Sequence, residues 1–534
     1  MSPPLGSPES RWYRWGEAAV LAVGFAVAHT QSPLYYSNQN QYFLHGLATG
    51  GLGHLSHDWL AQTRDPTPLF SALVAAGYRY LGEWSFQAAY FLLLMGYFLS
   101  ARWLVAALPG WPAPRSVRLV FAAAFTAAHA AVVRLLAVHL SGVDYPWYLQ
   151  AGVANQYLLG PGLQPSAFGT LLLTAVAAFA HGRAILAGLL AAAACLFHST
   201  YLLPAGFLVA GFLVELLRRG ERRSALVTGG VALAAVLPVL VYVVTHFAPS
   251  SAATFAEAQR ILVHVRIPHH AVIARWFAVV DGLQLAWVAV GWLLVRRTRL
   301  AVPLLTAGTL GLILSLVQLA TDSPTLALLF PWRISALLVP IATAVMTARL
   351  VALVPASRLV DGLASLGLLL LAGGGVAVQL AGLGYRTNDA EVELHAFVRV
   401  HAGPDDVYLL PVQIPALGTG RGSASTTFTP PPRPKPGSNL IPVDWQRFRL
   451  HTGACIYVDF KSVPYADAEV VEWLRRMRQA ETWYAGDWNT PHRRDELLRE
   501  GITHVVTQSD RPITADYLDE IPNVSSAYRL YRVK

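Results

Sequence analysis

Charge is scarce in this sequence. Asp, Glu, Lys and Arg make up 13% of its 534 residues, where a soluble domain runs near about a quarter. With 54% hydrophobic residues and a mean hydropathy of +0.43, the composition is that of a membrane protein. Lysine is nearly missing. Lys435, Lys461 and Lys534 stand in an otherwise arginine-only basic set, which we attribute to a GC-rich genome and from which no function follows. Cysteine is reduced to Cys195 and Cys455, one in an apolar run and one in the tail, which excludes a disulfide framework and a CxxC metal site. There is no GxGxxG or P-loop, so no nucleotide site is expected. No internal repeat stands out, which counts against a transporter built from inverted halves. No small-residue cleavage pattern follows Arg11 and Arg14, so an uncleaved signal anchor is expected.

What is present is a series of apolar runs. A bilayer core takes about 20 apolar residues per helix, and by that measure the sequence suggests about eleven spans. They lie near 15–31, 83–107, 118–139, 166–181, 184–198, 201–217, 225–246, 276–295, 300–320, 332–348 and 360–384. The net charge of +9 then resolves into short arginine clusters at alternate ends of these runs: Arg11/Arg14, Arg115/Arg118, Arg183, Arg218/Arg219/Arg222/Arg223, Arg296/Arg297/Arg299 and Arg349/Arg358. Such clusters are orientation signals that place their side in the cytoplasm, so nucleic acid is not an expected partner. The long loops 32–82, 140–165, 247–275 and 321–331, with everything beyond 385, then fall on the outer face of a cytoplasmic membrane. Few ionisable residues remain inside the runs, essentially Glu17, Arg102 and Arg134, which also disfavours a transporter.

The fold expected is a polytopic α-helical membrane domain over 1–384 and a separate extracytoplasmic α/β domain over 385–534. In the tail, "DDVYLLPVQ", "CIYVDF", "THVVTQ" and "YRLYRV" read as strands, and "DAEVVEWLRRMRQAETWY" as an amphipathic helix. "STTFTPPPRPKPGSN" reads as a loop.

Polar residues cluster in the outer loops. "HLSHDWLAQTRDPTPLFS" (54–71) gathers Asp58 and Asp65 with His54, His57 and Arg64, just before a segment, 67–80, patterned as an interfacial helix with Pro66 and Pro68 at its entry. Asp65 suits a helix cap or a catalytic acid equally. Asp58 suits a catalytic acid or an ion pair with Arg64 or a histidine. "RILVHVRIPHHAVIARW" brings Arg260, His264, Arg266, His269, His270 and Arg275 together, the donor set of a phosphate or diphosphate clamp. A divalent metal at the adjacent His269 and His270 is the alternative, and a solvated amphipathic helix the plain one. Arg333 follows Pro331 and Trp332 at the outer end of a run, where it either snorkels or binds an anion. Gln156 and Gln164, in the Gly/Pro-punctuated 153–169 stretch, can bind hydroxyls. His198 ends a span and reads as a structural cap.

Taken together, the first-loop acids, "NQYLLGPGLQPSAFG", "LFHSTYLLP", "RIPHH", "FPWRISALLVP" and "FRLHTGACIYVDFKSVPYADAEVVEWLRRM" resemble an uncharacterised group of bacterial multi-pass proteins similar to the GT-C membrane glycosyltransferases. The resemblance implies inverting transfer of a sugar from a polyprenyl-phosphate donor to a glycan, lipid or protein acceptor at the outer leaflet. Asp58 would be the base, with Asp65 its alternate or a metal or sugar contact. Arg266, His269, His270 and Arg333 would hold the donor phosphate, and Arg64, His57 and Gln156 would contact substrate. No metal ligand set or cofactor is assigned. One departure is plain: "YYSNQNQY" stands where many GT-C enzymes carry an acid directly after the first span. Either Asp58 takes that role, or the chain keeps the scaffold to bind and present a lipid-linked glycan without transferring it.

Overall fold

The computed structural model describes residues 11–111, 114–383, 389–414 and 447–534. The expected boundary at 384/385 and the "STTFTPPPRPKPGSN" loop lie outside them. Among the described residues, six helices are long and apolar enough to cross a bilayer: Trp84–Ala106, Ser199–Arg218, Arg222–His246, Ala301–Thr321, Pro324–Val351 and Arg358–Leu380. A seventh crossing arises if Arg115–Ala127 and Ala131–Ser141, bent by 52° at their junction, form one span. Their surfaces carry the membrane signature. Leu226, Leu233, Leu237, Val241 and Val244 are exposed along one helix, and Leu359, Leu363, Leu366, Leu369 and Leu370 along another. Continuous apolar faces of this extent are stable against lipid and not against water.

The eleven apolar runs do not become eleven helices of spanning length. Thr170–Ala180 and Ala184–Phe197 have 11 and 14 residues. At 1.5 Å rise per residue they fall short of a hydrocarbon core of about 30 Å. They pack on each other through small side chains such as Ala175, Ala187 and Ala191. Glu17 offsets its burial by accepting from Arg102 at 3.1 Å and Arg118 at 2.9 Å.

The tail forms a five-stranded mixed sheet: β1 (Val407–Leu409), β2 (Cys455–Ile456), β3 (His504–Gln508), β4 (Leu518–Ile521) and β5 (Tyr528–Val533), in the order β2-β1-β3-β5-β4. β1 pairs in parallel with β2 and β3, and β5 is antiparallel to β3 and β4. Alternation along the strands buries both faces. Leu409 and Val505 pack with Val470, Trp473, Met477 and Trp483 of the Asp467–Ala485 helix. Tyr408 and Val506 pack with Leu394 and Val398 of the Val392–His401 helix. The three-and-four spacing of Val470, Trp473, Leu474 and Met477 supplies one apolar stripe for that contact.

The tail is bound tightly to the loops between spans. The Gln41 side-chain amide donates to the Val463 carbonyl at 2.9 Å and accepts from the Val463 amide at 2.7 Å. The Arg476 guanidinium lies 4.3 Å over Trp59. Backbone meets backbone where Gly53 and Gly453, both at positive φ, approach so closely that a Cβ on Gly53 would stand 2.5 Å from the Gly453 carbonyl.

Candidate functional site

A helix of regular winding, Ala252–Ile261, passes into a π-helical turn at Leu262–Arg266. Single π turns change the direction of the side chains that follow and recur at functional sites. Here the turn brings Arg266 to the wall of a cavity of about 170 Å³. Segments from four long loops and from the tail meet there. Asn38 and Tyr42 come from 32–82, Asn155 and Gln156 from 140–165, and Arg266, His269 and His270 from 247–275. Phe330 with Arg333 and, from the tail, Lys461 with Tyr465 complete it. Two of these residues sit in strained backbone, Asn155 at φ 54° and Phe330 at φ 48°. Such positions persist only where the surroundings enforce them.

Three cations face this space from separate elements. Arg266 donates to the Lys461 carbonyl and lies 5.2 Å over the Phe460 ring. Arg333 donates to Thr200 Oγ1 and reaches His198 Nε2 at 3.1 Å, with its guanidinium 5.3 Å over Phe330. Both keep a buried Nε without a hydrogen-bond partner among the described residues. Desolvation pushes the Lys461 amine down to about 7, with Arg266 adding to the fall and Asp459 opposing it. Asp459 is itself committed, accepting from Arg449 Nη1 at 2.6 Å and from the Ser462 amide at 2.6 Å. Among the described residues no carboxylate lines the cavity. Buried cations without a carboxylate partner are costly unless an anion completes the site.

The histidines act as neutral donors and acceptors. Burial, and after it Arg266, holds His269 down to about 4, and burial holds His270 well below the usual imidazole range. His270 Nδ1 lies 2.9 Å from the Ala154 carbonyl and 3.1 Å from the Gln156 amide, which fixes the ring. Among the described residues no group of three His, Cys, Asp or Glu converges to hold a metal ion. The adjacent pair therefore lacks the further ligands a divalent cation needs.

Of the residues singled out in sequence, Arg266, His269, His270, Arg333 and Gln156 share this cavity. Asp58, Asp65, Arg64 and His57 of the first loop do not. Asp58 is fully buried. Its Oδ1 accepts from the Leu60 amide at 2.9 Å, and its Oδ2 accepts from Arg449 Nε at 2.8 Å and the Ile456 amide at 3.0 Å. The structure places it as a clamp between the first loop and the tail, away from the cavity and paired with neither Arg64 nor a histidine. Asp65 behaves as a turn cap, accepting from the Thr67 amide at 2.8 Å just before the Pro68–Ala76 helix. Arg64 is exposed, its amide bonded to Glu469 Oε1 at 3.1 Å and its side chain to the His246 carbonyl. His57 ends a short 3₁₀ turn, exposed.

Sequence reasoning missed Lys461, Tyr42 and Tyr465. The signal for Lys461 lies in composition: a lysine retained between a strand and a helix, in a chain that uses arginine nearly everywhere else. Beside the basic cavity lies a second of about 370 Å³, sharing Tyr42, His198, Leu262, Ile267, Phe330 and Tyr465 with it and walled further on by Val243, Phe247, Phe255 and Leu328. A polar, cationic chamber thus adjoins an apolar one across shared walls.

No curated protein matches the chain. Residues 434–480 match a family described as a domain of unknown function, DUF6798, and the matched stretch carries Arg449, Asp459, Lys461 and Tyr465.

Proposed function

We propose that this chain is a multi-pass protein of the bacterial cytoplasmic membrane that binds a polyprenyl-phosphate-linked sugar at the outer face and presents it for cell-envelope assembly. One observation carries the reading: Arg266, Arg333 and Lys461 face one cavity that, among the described residues, no carboxylate lines, and that cavity shares walls with an apolar one. Guanidinium forks suit phosphate oxygens, and the neighbouring apolar wall suits the lipid. Asn38, Asn155, Gln156 and Gln164 add amides that can pair with sugar hydroxyls.

Transfer of the sugar by GT-C chemistry is the second reading, and it needs a base. Among the described residues, Asp467 is the carboxylate that lines the apolar cavity. It accepts from the Ser250 amide at 2.7 Å and the Ser250 hydroxyl at 2.9 Å, and these bonds outweigh desolvation to hold its carboxyl below the usual range. A depressed acid with filled lone pairs is a weak base, so the geometry favours binding over turnover.

The test uses the full chain in nanodiscs with a labelled polyprenyl-phosphate sugar and membrane extract as acceptor source. Donor retained intact, and released by Arg266→Gln or Arg333→Gln, supports presentation. Label moved to acceptor by the wild type and lost in Asp467→Asn establishes transfer instead. No donor binding removes both readings.

A further inference from the structure

Resting on that reading of the cavity, we infer that the lipid linker it takes is a diphosphate, with the lipid chain continuing into the adjoining apolar cavity. The argument begins with charge. Arginine stays protonated at any physiological pH, so Arg266 and Arg333 present two fixed positive charges, and the Lys461 amine can add a third. A lipid–phosphate–sugar linkage is a phosphodiester with a single negative charge, which would leave a guanidinium unpaired in a desolvated site. A lipid–diphosphate–sugar linkage carries two negative charges and balances both guanidiniums. Uncompensated buried charge is among the costliest features a fold can hold.

The arrangement of the cations also distinguishes the two linkers. Arg333 is anchored on one wall by His198 and Thr200. Arg266 is anchored on another by the Lys461 carbonyl and the Phe460 ring. Tyr42 and Tyr465 line the same cavity, their hydroxyls bond each other, and both phenols feel both guanidiniums. Burial raises both phenols above their ordinary range, so they remain donors. Two guanidiniums held on separate walls, with one hydroxyl of the tyrosine pair left free to donate, suit two phosphoryl groups joined through an oxygen. The cavity that follows is lined by Val243, Phe247, Phe255 and Leu328 and shares the Tyr42 and Phe330 walls, which gives the chain beyond the diphosphate an apolar course.

The experiment measures thermal stabilisation of the full chain in detergent by inorganic pyrophosphate and, separately, by inorganic phosphate. It then repeats the titration with polyprenyl diphosphate and polyprenyl monophosphate in nanodiscs. The expected result is half-maximal stabilisation by pyrophosphate at a concentration at least tenfold below that for phosphate, with the same order for the two lipids. Arg266→Gln and Arg333→Gln should each reduce the preference toward unity while leaving the unliganded protein folded. The wild-type comparison stands even if a variant fails to fold. Stabilisation by the lipids but not by either free anion at up to millimolar concentration still supports the inference if the diphosphate lipid is preferred. Equal response to mono- and diphosphate overturns it and leaves the lipid-phosphate reading intact. No response to any of the four probes overturns both.

Discussion

At Lys461, burial of a single amine makes stability depend on pH. Its amine is held to about 7 by desolvation, while an unfolded lysine titrates near about 10.4. The unfolded chain therefore binds the extra proton between those values, and stability contributed at this position rises with pH across that window. Below about 7 the full penalty of burying the charge applies. Replacing it by Met is expected to raise the melting temperature of the unliganded protein at pH 6.5, with the gain shrinking toward pH 9.5, and to weaken stabilisation by pyrophosphate. Melting curves at the two pH values check the sign, and a gain that grows with pH would refute the assignment. Asp58 makes the opposite prediction. Asp58→Asn leaves Arg449 buried with one carboxylate, Asp459, and removing one partner of a buried pair costs about 3–5 kcal/mol. We expect a large loss in denaturant midpoint, with pyrophosphate still bound by the fraction that stays folded. Lost binding at unchanged stability would return Asp58 to the site. Arg266, His269, His270, Arg333 and Gln156 are legible in sequence because they interrupt a charge-poor pattern. The Asp58 clamp is not legible in sequence because its partner lies 391 residues away, and no local spacing reveals it.

Among the elements, periodicity carries most of the tail. The strand alternation in "THVVTQ" and "YRLYRV" and the helical stripe of "DAEVVEWLRRMRQAETWY" appear where the sequence places them. β4 escapes notice because Asp519 and Glu520 occupy half of its four residues and break the alternation. Where the first loop meets the tail, glycine lies on glycine. Gly453, at φ +71°, would place a Cβ 2.9 Å from Gly53 Cα, and the His54 amide donates to the Gly453 carbonyl at 2.7 Å. Gly453→Ala is expected to cost roughly 1–3 kcal/mol through backbone strain and to loosen the seam between loop and tail. Hydrogen exchange at residues 448–465 should accelerate in this variant more than exchange in β3. Uniform acceleration of both would mean that the seam is not a separate unit.

For the molecule as a whole, sidedness is the strongest consequence. The long loops and the tail share one cavity, whereas the arginine clusters such as Arg296/Arg297 belong to the opposite ends of the helices. Both native cysteines are buried, so introduced ones can be read against a quiet background. Asp510→Cys, on the exposed tail, should react with a membrane-impermeant maleimide in intact spheroplasts. Arg297→Cys should react only after lysis. The reverse pattern would invert the orientation proposed for the cavity.

By itself the sequence determines that this is a helical membrane protein with an α/β tail, because hydropathy and period are local properties that each segment expresses on its own. It also marks most of the basic residues of the cavity, since desolvated arginines are conspicuous among apolar neighbours. Which apolar runs reach spanning length is decided by where helices actually bend and stop. Tertiary structure alone decides that Asp58 belongs to a clamp and that Lys461 belongs to the site, because an ion pair and a cavity wall depend on distances between segments hundreds of residues apart.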